Sequence, residues 1–128
     1  MPLNSTHILL IDDNLRLVNL LAMELRDAGY RVSVASSGTA GLQMALNLTP
    51  DLIFLDWNLP DIDGVSVCRR LRAAHYPCPI IMMTGKSEQD CRLVCLPSGA
   101  DAYLVKPFDL DALLAQVAAY QHVCGCAA

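Results

Sequence analysis

Five polar residues stand where short apolar runs of this chain end. Asp12 and Asp13 follow His7–Ile11, Asp56 follows 51–55, Thr84 follows 79–83, and Lys106 follows Ala102–Val105. Brought to one rim, three carboxylates would repel each other: two like charges about 4 Å apart cost roughly 4 kcal/mol at an effective dielectric near 20. A cation must offset that repulsion. Hard oxygen ligands with open positions suit Mg²⁺, and Lys106 adds a further positive charge. An isolated Asp, Thr or Lys after an apolar run has bland explanations, a turn, a cap or a solvated side chain. Recurrence at four such ends points to a shared site.

The elements that must position these residues are legible in the hydrophobic pattern. The apolar runs His7–Ile11, Arg31–Ala35, 51–55, 79–83 and Ala102–Val105 are each about five residues long, the length of buried strands. Helical patterns separate them. Val18, Leu21, Ala22 and Leu25 recur at helical spacing within 14–28, and Gly29 is a fitting stop. Gly38–Leu48 offers Leu42, Ala45 and Leu46 with Ser37 as cap, and 64–75 sets Val67, Cys68 and Leu71 opposite Arg69, Arg70 and Arg72. Ser87-Glu88-Gln89-Asp90 resembles a capping box opening a fourth helix. Leu110, Leu113, Leu114 and Val117 form a fifth stripe, capped by Asp109. Five βα units with short connections imply a parallel sheet with helices on both faces. In such sheets working residues gather at the carboxyl ends of the strands, where strand order reverses.

Composition excludes other classes. With 128 residues, 54% of them hydrophobic and 17% charged, the chain is of single-domain size with ample core. Nine Lys and Arg against thirteen Asp and Glu leave a net charge of −4, and only two of the cations are lysines. That balance argues against nucleic-acid binding by this domain itself. Mean hydropathy is high, +0.37, but the uncharged stretches 32–50 and 112–128 are broken by polar residues and glycine, so no membrane span of about 20 apolar residues is expected. The first seven residues lack the features of a signal peptide. The six cysteines read as reduced thiols of a cytoplasmic protein. Cys124-Gly125-Cys126 is read as part of a frayed tail over 121–128.

The motifs Asp12-Asp13, Asp56-Trp57-Asn58-Leu59-Pro60 with Asp63-Gly64, Met83-Thr84-Gly85, and 98–108 (SGADAYLVKPF) resemble, in order and spacing, the receiver domain of bacterial two-component response regulators. The resemblance runs from about His7 to Tyr120. It implies a flavodoxin-like, doubly wound (βα)5 α/β fold with strand order 2-1-3-4-5, as a single receiver domain with its core at about 7–120. By resemblance, Asp56 is the phosphoacceptor for a histidine kinase or phosphotransfer protein. Asp13, Asp56 and the Asn58 carbonyl would bind Mg²⁺ directly, and Asp12 mainly through water. Lys106 would pair with phosphoryl oxygens, Thr84 would hydrogen-bond one, and Gly85 would leave them room. Tyr103 matches the aromatic that swings inward with Thr84, Asn58 and Lys86 match positions that tune dephosphorylation, and the Lys106-Pro107 bond is expected to be cis. Such a domain is a phosphorylation switch rather than a turnover enzyme, signalling through the fourth helix, fifth strand and fifth helix to a downstream protein or a second copy of itself.

Other features carry less. Pro97 should end or kink the fourth helix early. Cys91 and Cys95, four apart on that helix, are read as packing residues. His7, His75 and His122 are assigned no chemistry, Asp61, Asp63, Asp101 and Asp109 are taken as turn formers or caps, and the arginines of 69–72 as a solvated face. The competing readings are a phosphorylation-independent interaction module of the same fold and a nucleotide- or flavin-binding enzyme. The second is disfavoured because the loop 12–16 has no glycine and two negative charges, and would repel phosphate. The run 110–115 also looks like the fifth helix of receivers joined to winged-helix DNA-binding domains.

Overall fold

The computed structural model describes residues 6–126. The elements run β1 (His7–Ile11), α1 (Leu15–Asp27), β2 (Arg31–Ala35), α2 (Gly38–Leu48), β3 (Leu52–Asp56), α3 (Gly64–Ala73), β4 (Ile80–Thr84), α4 (Glu88–Asp90), β5 (Ala102–Val105) and α5 (Leu110–Cys126). All strand pairings are parallel, in the order β2-β1-β3-β4-β5. The expected doubly wound sheet is therefore the one observed. Strand order reverses between β1 and β3, which puts the ends of those strands at the switch point.

Both faces of the sheet are covered, so alternate residues of one strand enter different cores. Leu9, Ile11, Ile53, Leu55, Ile80 and Met82 pack with Ala45 of α2 and with Val67 and Leu71 of α3. Ile8, Leu10, Leu52, Phe54, Ile81 and Met83 pack with Val18, Leu21, Ala22 and Leu25 of α1 and with Leu113 and Val117 of α5. This explains why the strands read as unbroken apolar runs. The helices start where side chains can satisfy their first amides: Asn14, Ser37, Asp63, Ser87 and Asp109 accept from the amides of Leu17, Ala40, Ser66, Asp90 and Ala112. The pattern 14–28 counted Asn14 as the first helical residue; it is instead the cap of α1.

Several boundaries differ from the sequence reading, each for a local reason. β3 and β4 begin and end one residue later. The Asp51 carboxylate accepts the His7 amide, and Pro79 has no N–H for the ladder. α3 stops at Ala73 because His75 takes a left-handed backbone (φ 59). Beyond Asp90 the fourth helix widens into a π-turn at Cys91–Cys95, with the Leu96 amide bonded to the Cys91 carbonyl, and then breaks into turns around Pro97. The early end expected of Pro97 is observed. α5 is helical to Cys126 in the segment read as a frayed tail, in keeping with a stretch free of proline. Residues 127–128 and the side chains of 121–126, His122 and both tail cysteines among them, lie outside the described residues. Cys68, Cys78, Cys91 and Cys95 are buried cysteines outside any disulfide, and burial pushes the Cys95 thiol up to about 12.

Two assignments change character. Arg72 is not part of a solvated face. Its guanidinium donates to the carbonyls of Gly99 (2.9 Å), Tyr76 (2.6 Å) and Cys78 (2.8 Å) and pairs with Asp101 at 2.9 Å. Asp101 in turn accepts the Ile80 amide. One side chain thereby joins the end of α3 to the entries of β4 and β5. Asp61 is likewise no local turn former: its two oxygens accept the Gly38 and Thr39 amides at 2.8 Å each, tying the β3–α3 loop to the start of α2. Substituting Arg72→Ala should cost about 2–3 kcal/mol by stranding half-buried carbonyls and Asp101. Arg72→Lys should restore less than half, because an ammonium lacks the planar fork. Urea denaturation midpoints check both.

Candidate functional site

Each expected site residue sits where the sheet ends. Asp12 follows β1, and its amide bonds the Ala35 carbonyl at the end of β2. Asp56 and Thr84 are the last residues of β3 and β4, so their backbones are held by the ladder rather than by a loop. Lys106 leaves β5 with its amide on the Thr84 carbonyl, 2.6 Å away, and its bond to Pro107 is cis, as expected.

The carboxylates of Asp12, Asp13 and Asp56 offer oxygens all within 4.8 Å of one another. Asp12 is fully buried, Asp56 is 5% exposed, and Asp13 faces solvent. The Lys106 ammonium reaches Asp12 Oδ2 at 2.9 Å and Asp56 Oδ1 at 3.2 Å. The other Asp12 oxygen accepts the Asn14 amide. Burial first, and the neighbouring Asp12 charge second, push the Asp56 carboxyl up to about 6, with Lys106 opposing. Burial disfavours the Lys106 ammonium as well, yet its hydrogen bond to Asp12 and the charges of Asp12 and Asp56 more than offset this, and its pKa is raised. The site is therefore rich in anionic oxygen and short of cations. Hard, close-set oxygens around a partly open rim fit a hard divalent cation such as Mg²⁺.

The remaining residues take different places. Thr84 is fully buried, and its hydroxyl accepts the Lys86 amide at 2.9 Å. A Cβ at Gly85 would meet nothing within 4 Å, so the rim is open there. Asn58 is exposed on the β3–α3 loop. Tyr103 is half-buried on β5, opposite Met82 and against the core that contains the α4-side thiols. A cavity of ≈ 330 Å³ opens beside Lys106, lined by Asn14, Leu17, Pro107 and Phe108.

Two features were not read from the sequence. A Cβ at Gly64 would strike the Asp56 carbonyl and the Trp57 Cα, and the Gly64 amide bonds the Trp57 carbonyl at 2.7 Å. Only glycine lets α3 start so close behind Asp56. The Lys86 ammonium also lies over the Trp57 ring, 5.5 Å from its centroid. The sequence placed Trp57 next to Asp56 and Lys86 two residues after Thr84, but gave no sign that the two meet.

An open parallel (βα)5 sheet with an acidic rim and a lysine across it defines the receiver class of α/β signalling domains. The profile of the response regulator receiver domain matches residues 8–118, and the chain belongs to that family. It is 41% identical over 114 residues to the response regulator ArlR of Staphylococcus saprophyticus, covering 89% of this chain and 51% of that protein. It is 42% identical to the DNA-binding dual master transcriptional regulator RpaA of Synechocystis, covering 88% and 47%. The chain thus spans about half the length of the curated relatives it matches. Among solved structures, a CheY-like receiver domain protein from Methanospirillum hungatei superposes with a TM-score of 0.89 at 26% identity, over 97% of this chain and 99% of that one. A two-component response regulator from Clostridium difficile gives 0.87 at 34% identity, over 92% and 97%. Among the described residues no helix is long and apolar enough to cross a membrane.

The raised Asp56 pKa fixes a sign. The folded protein holds this proton more tightly than the unfolded chain, so in metal-free solution stability falls as pH rises from about 4 through about 6, then levels. Asp56→Asn lacks this dependence. Its urea midpoint relative to wild type should rise over that interval and stay constant above it, and a flat difference would remove the charge strain assigned to Asp56.

Proposed function

We propose that this receiver domain accepts a phosphoryl group on Asp56 from a histidine kinase or a phosphotransfer protein. The observation that carries the reading is the Lys106 bridge between Asp12 and Asp56, with Asp13 completing the acidic rim. An Asp56 carboxylate oxygen would form the new P–O bond as the donor's P–N bond breaks, its electron pair returning to the imidazole nitrogen. A nucleophile with its pKa near 6 is ionised at neutral pH and so available. Asp13, Asp56 and the Asn58 carbonyl would hold Mg²⁺, with Asp12 contributing mainly through water. When bound, that ion supplies positive charge to the carboxylates and to the oxygens in transfer.

This chain's own residues do the rest. Lys106 is placed to follow the charge from carboxylate to phosphoryl oxygen, and Thr84 to exchange the Lys86 amide contact for a phosphoryl contact. Gly85 leaves the approach open, and Tyr103 takes the space that Thr84 vacates. Asn58 and Lys86 flank the path of water and set the lifetime of the aspartyl phosphate. The changed charge biases α4, β5 and α5, the face that would meet a downstream protein or a second copy. The domain promotes only its own phosphorylation and dephosphorylation, acts in the cytoplasm, binds no nucleic acid itself, and forms a single unit with its core at about 7–120.

Trp57 fluorescence and intact mass test the reading. Mg²⁺ should change the fluorescence, and acetyl phosphate should change it again while adding one phosphoryl mass to wild type and none to Asp56→Asn. Lys106→Met should slow phosphorylation about tenfold or more, given the usual worth of a positioned charge. Equal labelling of wild type and Asp56→Asn, or no labelling by acetyl phosphate or by a phosphohistidine donor, would sink the assignment.

A further inference from the structure

The contact between Lys86 and Trp57 lies outside the acidic cluster, on an indole that also packs against the core shared with α2 and α3. Asp56 pairs with Met83 across β3 and β4, so the residues that follow these strands leave the sheet side by side. Trp57 is fixed on both sides of its backbone, its amide on the Met83 carbonyl at 2.9 Å and its carbonyl on the Gly64 amide. The Lys86 amide is fixed on the Thr84 hydroxyl. Rigid backbones thus set an ammonium over an indole face, the favoured geometry for a cation–π contact. Among the described residues Lys86 makes no ion pair. It is a cation held by the ring of the residue next to Asp56, and a Cβ at the glycine between it and Thr84 would meet nothing within 4 Å.

Charge counting gives this arrangement a use. Three carboxylates against Lys106 leave two negative charges, which one divalent cation cancels. A phosphoryl group on Asp56 adds about one more negative charge and new acceptor oxygens. The loaded site is then one cation short, and Lys86 is the unpaired cation at its rim. A ring contact at a half-exposed position is worth only about two- to fivefold in an equilibrium, whereas a charge-assisted hydrogen bond to a phosphoryl oxygen is stronger.

We propose that the Trp57 ring is a holding site for the Lys86 ammonium, which the phosphoryl group on Asp56 draws off the ring and onto itself. The inference rests on Asp56 being the phosphoacceptor. Trp57 is in this sense a positioning residue that acts through Lys86. It keeps the ammonium near the carboxylates without committing it to them, and its release couples occupancy of Asp56 to the loop that leaves β4.

The test uses beryllofluoride with Mg²⁺, a stable mimic of the phosphoryl group, on the whole chain, with folding of each variant verified by its urea midpoint. Trp57→Leu frees Lys86 and should tighten beryllofluoride binding about two- to fivefold, while Trp57→Phe, which keeps an aromatic face, should stay within about twofold of wild type. Lys86→Gln should weaken binding about fivefold or more, and in that background Trp57→Leu should give no gain. In proton NMR the Lys86 side-chain methylenes should be ring-shielded in the free protein and lose that shielding on beryllofluoride binding. A Trp57→Leu effect that persists without Lys86, or methylene shifts unchanged by beryllofluoride, would overturn the proposal. Failure of wild type to bind beryllofluoride would instead strike the phosphoacceptor reading itself.

Discussion

The structure depends on one electrostatic bargain: Asp12 and Asp56 are buried side by side, and the Lys106 ammonium lies between them. Two buried carboxylates at that separation are unfavourable by several kcal/mol unless a cation is placed with good geometry. Lys106 comes from the far side of the sheet, beyond β3 and β4, and reaches both. Even so, the Asp56 carboxyl stays high, near 6, because burial and Asp12 outweigh the lysine. The site is left under-compensated, and an under-compensated anionic site is one whose charge a bound cation or an added phosphoryl group can change. Stability is given up at the place where the domain must respond.

The rest of the fold makes that arrangement tolerable by making it rigid. Asp56 and Thr84 sit in strands covered on both faces, so neither can drift away from its neighbours. Gly64 lets α3 begin against the Asp56 carbonyl, Asp61 pins the β3–α3 loop to α2, and Arg72 clamps the opposite ends of β4 and β5. The fourth helix is built differently, with three α-helical residues, a π-turn and a proline break. Regular hydrogen bonding therefore stops soon after β4, within the element that follows the acidic rim.

The sequence made much of this legible, because its signals were local. Apolar runs of five residues, caps such as Ser37 and Asp109, and the glycine after α1 each state a backbone preference within a few residues. The recurrence of Asp12-Asp13, Asp56, Thr84 and Lys106 at run ends marks the rim from the sequence alone. Long-range roles stayed hidden. Arg72 has the same composition signal as Arg69 and Arg70, and Asp61 the same as any loop aspartate, yet both partners of Asp61 and two of the four of Arg72 lie more than 20 residues away. Nothing in a linear pattern distinguishes an arginine that donates four bonds from one that faces water.

By itself, then, the sequence determined which segments form strands and helices, and which polar types would meet at the carboxyl ends of the sheet. Hydrophobic period and capping chemistry act within one or two turns of chain, which is the range over which sequence speaks directly. The tertiary structure alone decided the distances: that Lys106 bridges Asp12 and Asp56, that Asp12 is wholly buried while Asp13 is open, that Lys86 rests on Trp57. Those outcomes depend on how neighbouring strands stack in register and on how much water each side chain loses. Both are properties of the packed molecule and not of any segment of it.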